Sequence, residues 1–71
     1  MVIILNRIPV SSSNISSIGY QNGIMEIEFN NARIYQYNVP QSVYDGLMSA
    51  SSHGKYFAEH IKNFYYGNRI Y

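Results

Sequence analysis

Residues 15–29 read ISSIGYQ-NG-IMEIEF, two alternating runs joined by Asn22-Gly23. Asn-Gly between alternations is the strongest short hairpin signal, because a type I′ turn needs positive φ at both of its central residues. A two-residue loop there pairs Tyr20 with Met25 and Ile18 with Ile27. Ile18, Tyr20, Met25, Ile27 and Phe29 then share one face, apolar enough to be the core. A second hairpin follows, with Asn30-Asn31-Ala32 at its turn and Arg33–Asn38 as the third strand. Read as a two-residue loop, it adds Ile34 to the core face and sets Tyr35 and Tyr37 on the other face, beside Glu26 and Glu28. A three-residue loop would exchange the faces, since a one-residue slip inverts every side chain. The two-residue loop is the expectation.

Working outward, Val39-Pro40 opens a first helix, with Pro at the first helical position, where its missing N–H costs nothing. Val43, Leu47 and Ala50 make its stripe, with Tyr44 and Met48 beside it. Ser49–Gly54 interrupts the pattern, and a second helix runs from about Ser52 to Phe64 on a stripe of Phe57, Ile61 and Phe64. Residues 65–71 return as a short strand. Upstream, Val2–Leu5 is a β-branched run that reads as a peripheral strand or arm ending by Pro9, which cannot donate to a ladder. Ser11–Asn14 is a polar connector. The predicted class is α+β: a three-stranded antiparallel meander, two short helices packed on one face, and an N-terminal edge strand within residues 1–10.

Seventy-one residues make one domain, 1–71, with a thin core, since a chain of this length buries only about 60% of its unfolded surface. There is no Cys, which removes disulfides, thiolate metal sites and Cys nucleophiles together. Five basic and four acidic residues give a net charge of +1, too small for a global field toward nucleic acid or anionic membrane, so any phosphate binding must be local. Eight Tyr and three Phe on a chain with few charges suit stacking or protein contact. No apolar run is long enough to span a membrane and none resembles a signal peptide, so the expected location is cytoplasmic, without membrane partners.

Two clusters are candidates for binding. Ser52 as N-cap would place Gly54 and Lys55 in the first turn of the second helix, where a Lys opposes the helix dipole and no acidic residue balances it. An external phosphate would relieve that mismatch, with Gly54 allowing close backbone approach. Lys62 and Arg69 are nearby cations, and Tyr56 and Tyr66 are stacking partners. A Ser-capped helix with a solvated Lys accounts for the same residues. Tyr35 and Tyr37, with Arg33, form the second cluster: a platform for bases, or a protein interaction surface. Glu26 and Glu28 on the same face favour protein contact over phosphate. His53 and His60 lack further ligands for a metal site. No Gly-x-Ser-x-Gly elbow accompanies the serines. Neither catalytic residues nor cofactors are expected.

Ser12-Ser13-Asn14-Ile15, Ile18-Gly19-Tyr20, Tyr35-x-Tyr37, Val39-Pro40-x-x-Val43-Tyr44-x-x-Leu47 and Ser52-x-Gly54-Lys55-Tyr56-Phe57 together resemble the KTSC domain, over roughly residues 7–71. That family takes its name from the C-terminus of some lysyl-tRNA synthetases and also stands alone in bacterial and phage proteins. The resemblance implies an RNA context and brings no catalytic residues. The chain departs from the family pattern at the second turn, where Asn31-Ala32 replaces the usual Asn-Gly. The expected function is a non-catalytic binding module for RNA or a phosphate-bearing ligand. Two alternatives are a phage-encoded protein-interaction module or host-defence inhibitor, and an oligomeric sponge for a small nucleotide signal. An apolar arm and open sheet edges predict self-association.

Overall fold

The computed structural model describes residues 4–71. Its elements are β1 (Ile8–Pro9), β2 (Ile15–Gln21), β3 (Ile24–Phe29), β4 (Ile34–Asn38), α1 (Gln41–Ser49), α2 (His53–His60) and β5 (Gly67–Arg69). The class is α+β as expected, but the antiparallel sheet has five strands rather than three, in the order β1-β2-β3-β4-β5. Both additions are short edge strands of two and three residues, and they lie within the N-terminal segment 1–10 and the C-terminal segment 65–71 that the sequence marks as flanking strands. The N-terminal edge strand is Ile8–Pro9. Of the Val2–Leu5 run, Val2 and Ile3 lie outside the described residues, and Ile4 and Leu5 are not in a strand.

The first hairpin has the expected register, Tyr20 opposite Met25 and Ile18 opposite Ile27. Its turn residues Asn22 and Gly23 sit at φ 53° and 82°, the left-handed pair that a type I′ turn demands. The second hairpin corrects the expectation. Its loop has three residues, closed by Phe29 N–H donating to Arg33 O at 2.9 Å, and Ala32 takes φ 71°. Glu28 therefore faces Ile34, Ile27 faces Tyr35, and Met25 faces Tyr37. Tyr35 and Tyr37 join the core face, and Ile34 moves to the face of Glu26. The cause is the left-handed Ala32, which inserts one residue between the strands.

The core is built on that face. Ile15, Ile18, Met25, Ile27, Tyr37 and Val39 pack with Leu47 of α1 and Ile61, the residue that caps α2. Pro40 is the N-cap of α1, one residue ahead of its expected place, and leaves the helix without a side-chain cap. In α2, Phe57 and Ile61 pack inward as the stripe required, but Phe64 is 70% exposed. The helix stops at His60, so the 3.6-residue phase is lost before Phe64 is reached.

The opposite face is covered by the chain's own N-terminal segment. Glu26 is fully buried there, paired with Arg7, and accepts from Leu5 N–H at 3.1 Å and from Gln36 Nε2 at 2.8 Å. Arg7 Nε also donates to Ser17 Oγ at 2.9 Å, and that hydroxyl donates to Glu28 Oε1 at 3.0 Å. Gly19 makes the crossing fit, because a Cβ at this position would collide with the carbonyl oxygen of Asn6. The carboxylates expected beside Tyr35 and Tyr37 thus anchor residues 5–7 instead. Burying a carboxylate is tolerable only when it is paired and hydrogen-bonded, and Glu26 is both.

Candidate functional site

The three-residue loop leaves a consequence on the helix side of the sheet. With Tyr35 and Tyr37 turned inward, the end of the meander near that loop opens into a groove of about 660 Å³. Its floor is aromatic: Phe29 lies edge-on to Tyr35 and to Phe57, at centroid distances of 5.8 and 5.3 Å, and Tyr37 lies edge-on to Phe57 at 5.6 Å. Such pairs hold one another's orientation, so the floor is preformed. Tyr37 is 6% exposed, and burial together with the neighbouring Tyr35 pushes its hydroxyl pKa up to about 12. Only part of its ring is available to a visitor; Phe29, Tyr35 and Phe57 are half-buried.

Polar groups rim the floor. Ser13 and Asn14 come from the β1–β2 connector, Asn30, Asn31 and Arg33 from the β3–β4 hairpin, and Gly54 and Lys62 from α2 and its exit. Arg33 and Lys62 are exposed and form no ion pair among the described residues. Among the described residues, no Asp or Glu lines the groove. The pocket is therefore apolar at its base, positively charged at its edge, and within the size range of small-ligand sites.

The loops that frame it are held by their own hydrogen bonds. Asn30 Nδ2 donates to Ser13 O at 2.7 Å and to Ser12 O at 3.3 Å, while Ser16 Oγ donates to Asn30 Oδ1 at 2.6 Å. Asn31 Oδ1 accepts from Arg33 N–H at 3.1 Å, an Asx turn that shapes the hairpin loop. Ser12 Oγ accepts from the N–H groups of Asn14 and Ile15 at 3.2 and 3.3 Å. The serine run is thus a capped connector, as its hydroxyls suggest.

The two expected clusters are partly merged and partly separated. Gly54 and Lys62 from the first join Arg33, Tyr35 and Tyr37 from the second around one groove. Ser52 does cap α2, accepting from Lys55 N–H at 3.2 Å. It lies in a separate, hydroxyl-rich notch of about 350 Å³ formed by Ser11–Ser13, Ser51, Ser52 and His53. Lys55 points to solvent and lines neither cavity. Tyr56 packs on Gly46 of α1 and stands 4.5 Å from the His60 ring, so it joins the two helices. Tyr66 is 84% exposed outside the groove. Arg69 pairs with Tyr35 across β4 and β5, and its Nε donates to Tyr71 O at 3.0 Å. His53 Nδ1 is 2.8 Å from Leu47 O, which ties the start of α2 to α1.

Gly54 has a reason beyond the helix end. A Cβ there would stand 3.0 Å from Asn14 Nδ2, so the glycine lets the connector lie close against α2. The sequence marks Asn14 only as the last residue of a polar connector. Its position after a serine run signals a turn, and only the fold shows that the turn faces a groove.

The comparisons with known proteins agree with this architecture. The family model of the KTSC domain matches residues 11–66. An uncharacterized protein of Stutzerimonas stutzeri, strain A1501, is 34% identical over 65 residues, covering 87% of this chain and 92% of that protein. The crystal structure of a KTSC domain protein from Yersinia pestis superposes with a TM-score of 0.89 at 41% identity, over 96% of this chain and all of that one.

Proposed function

This chain belongs to the KTSC domain family, and on that premise we propose that it is a non-catalytic binding module for RNA or a phosphate-bearing ligand, which it receives in the groove above Tyr35 and Phe57. One observation carries the reading: two cations, Arg33 and Lys62, which are unpaired among the described residues, edge an aromatic floor with no carboxylate among the described residues that line it. With a net charge of only +1, local placement of this kind is what draws an anion. The rings offer stacking, which is tolerant of sequence and contributes about 1–3 kcal/mol per base in single-strand binders. The proposed anion site is thus displaced from the α2 N-terminus to the groove.

The test is a titration of short single-stranded RNA into wild type, Arg33→Glu, Lys62→Glu and Lys55→Glu at two salt concentrations. The two groove substitutions are expected to weaken binding at least about tenfold and to reduce the salt dependence, while Lys55→Glu has a smaller effect. An effect confined to Lys55→Glu would return the site to the α2 N-terminus. Absence of binding by the wild type would refute the reading.

A further inference from the structure

Three asparagines line the groove, and they are not equivalent. Asn30 is occupied at both ends of its amide, by Ser12 and Ser13 carbonyls and by Ser16 Oγ. Asn31 spends its carbonyl on the Arg33 N–H. The Asn14 side chain forms no hydrogen bond to another described residue, yet its backbone is held on both sides. Its N–H donates to Ser12 Oγ at 3.2 Å, and its C=O accepts from Asn30 N–H at 2.9 Å. The side chain stands over Gly54, at the groove wall formed by α2.

Resting on the groove reading above, we infer that the ligand carries a nucleobase and that Asn14 reads its edge. A primary amide presents an acceptor and a donor side by side, which complements the adjacent donor and acceptor on a base edge. Phosphate alone would engage Arg33 and Lys62 and leave the rings and this amide unused. A nucleotide whose base stacks on the half-buried rings engages all three. Because the backbone of Asn14 is already fixed, little further ordering is needed when it binds.

The experiment compares the four common nucleoside monophosphates with ribose 5-phosphate, by NMR titration of wild type, Asn14→Ala and Arg33→Glu. At least one nucleoside monophosphate is expected to bind about fivefold or more tighter than ribose 5-phosphate, the lower end for a bidentate base contact. Asn14→Ala should erase that ratio, leave ribose 5-phosphate affinity unchanged and melt with the wild type. A short RNA of the preferred base, run in parallel, separates the sources: tighter binding than the monophosphate points to an unpaired RNA nucleotide, equal binding to a free nucleotide, and both uphold the inference. Equal binding of base-bearing and base-free ligands overturns it, as does an Asn14→Ala loss shared by both. If ribose 5-phosphate still binds and Arg33→Glu weakens it, the groove reading survives that result. No binding by any of these probes ends both.

Discussion

Replacing Ala32 by glycine should stabilise the protein, and the sign of that effect tests the register of the whole second hairpin. Ala32 holds φ 71° at the end of a three-residue loop, with its N–H donating to Phe29 O at 2.9 Å. The left-handed conformation costs an L-residue about 1–2 kcal/mol, because Cβ crowds the following carbonyl oxygen. Glycine escapes that cost but loses about 0.5–1 kcal/mol more backbone entropy on folding than alanine does. The Ala32 methyl is exposed and forfeits no core packing when removed. The two ranges leave Ala32→Gly more stable by about 0 to 1.5 kcal/mol, and their midpoint of about 0.75 kcal/mol corresponds to about 3–6 °C in Tm for a domain of this size. Thermal melts by circular dichroism, with urea unfolding as a second measure, would read it. Ala32→Val should move the other way, since a β-branched residue tolerates positive φ worse than alanine. A lowered midpoint for Ala32→Gly, with Ala32→Val melting no lower than the wild type, would mean that residue 32 is not left-handed. The loop would then hold two residues, with Ile34 rather than Tyr35 and Tyr37 on the core face, and the groove would lose its floor.

Two further outcomes follow from buried polar groups. Arg7→Met should cost about 3–5 kcal/mol, because it leaves the fully buried Glu26 without its cation, and Arg7→Met with Glu26→Met should recover much of that loss. A single-mutant cost below about 1 kcal/mol in urea unfolding would class the pair with ordinary surface ion pairs and refute the role of residues 5–7 as an anchor. Tyr37 is protonated more tightly in the folded chain, where its pKa is about 12 against an ordinary value of 10.0. The stability it contributes is therefore complete below pH 10 and lost as pH rises from about 10 to 12. Tyr37→Phe should flatten that alkaline decline in melts across the range, and an unchanged profile would refute its assignment to Tyr37.

The sequence by itself determined the first hairpin, because Asn22-Gly23 offers a backbone conformation that few other pairs adopt and the flanking alternation permits a single register. It also determined the α+β class, the two helices and the capping role of Ser52, all of which depend on residues within one turn of each other. The second register was decided by one dihedral angle at Ala32, an alanine in a state that alanine rarely takes, so local propensity pointed the other way. That single residue moved Tyr35 and Tyr37 from the outer face to the groove. The burial of Glu26 was equally out of reach, since its partner Arg7 is 19 residues away and nothing local distinguishes it from a solvated Glu. The groove belongs to the same category. Asn14, Arg33, Tyr35, Phe57 and Lys62 come from separate segments, and no spacing along the chain records that folding brings them to one end of the sheet. Short-range conformational preferences are written in neighbouring residues, whereas a binding surface is made by long-range packing and exists only once the strands have chosen their faces.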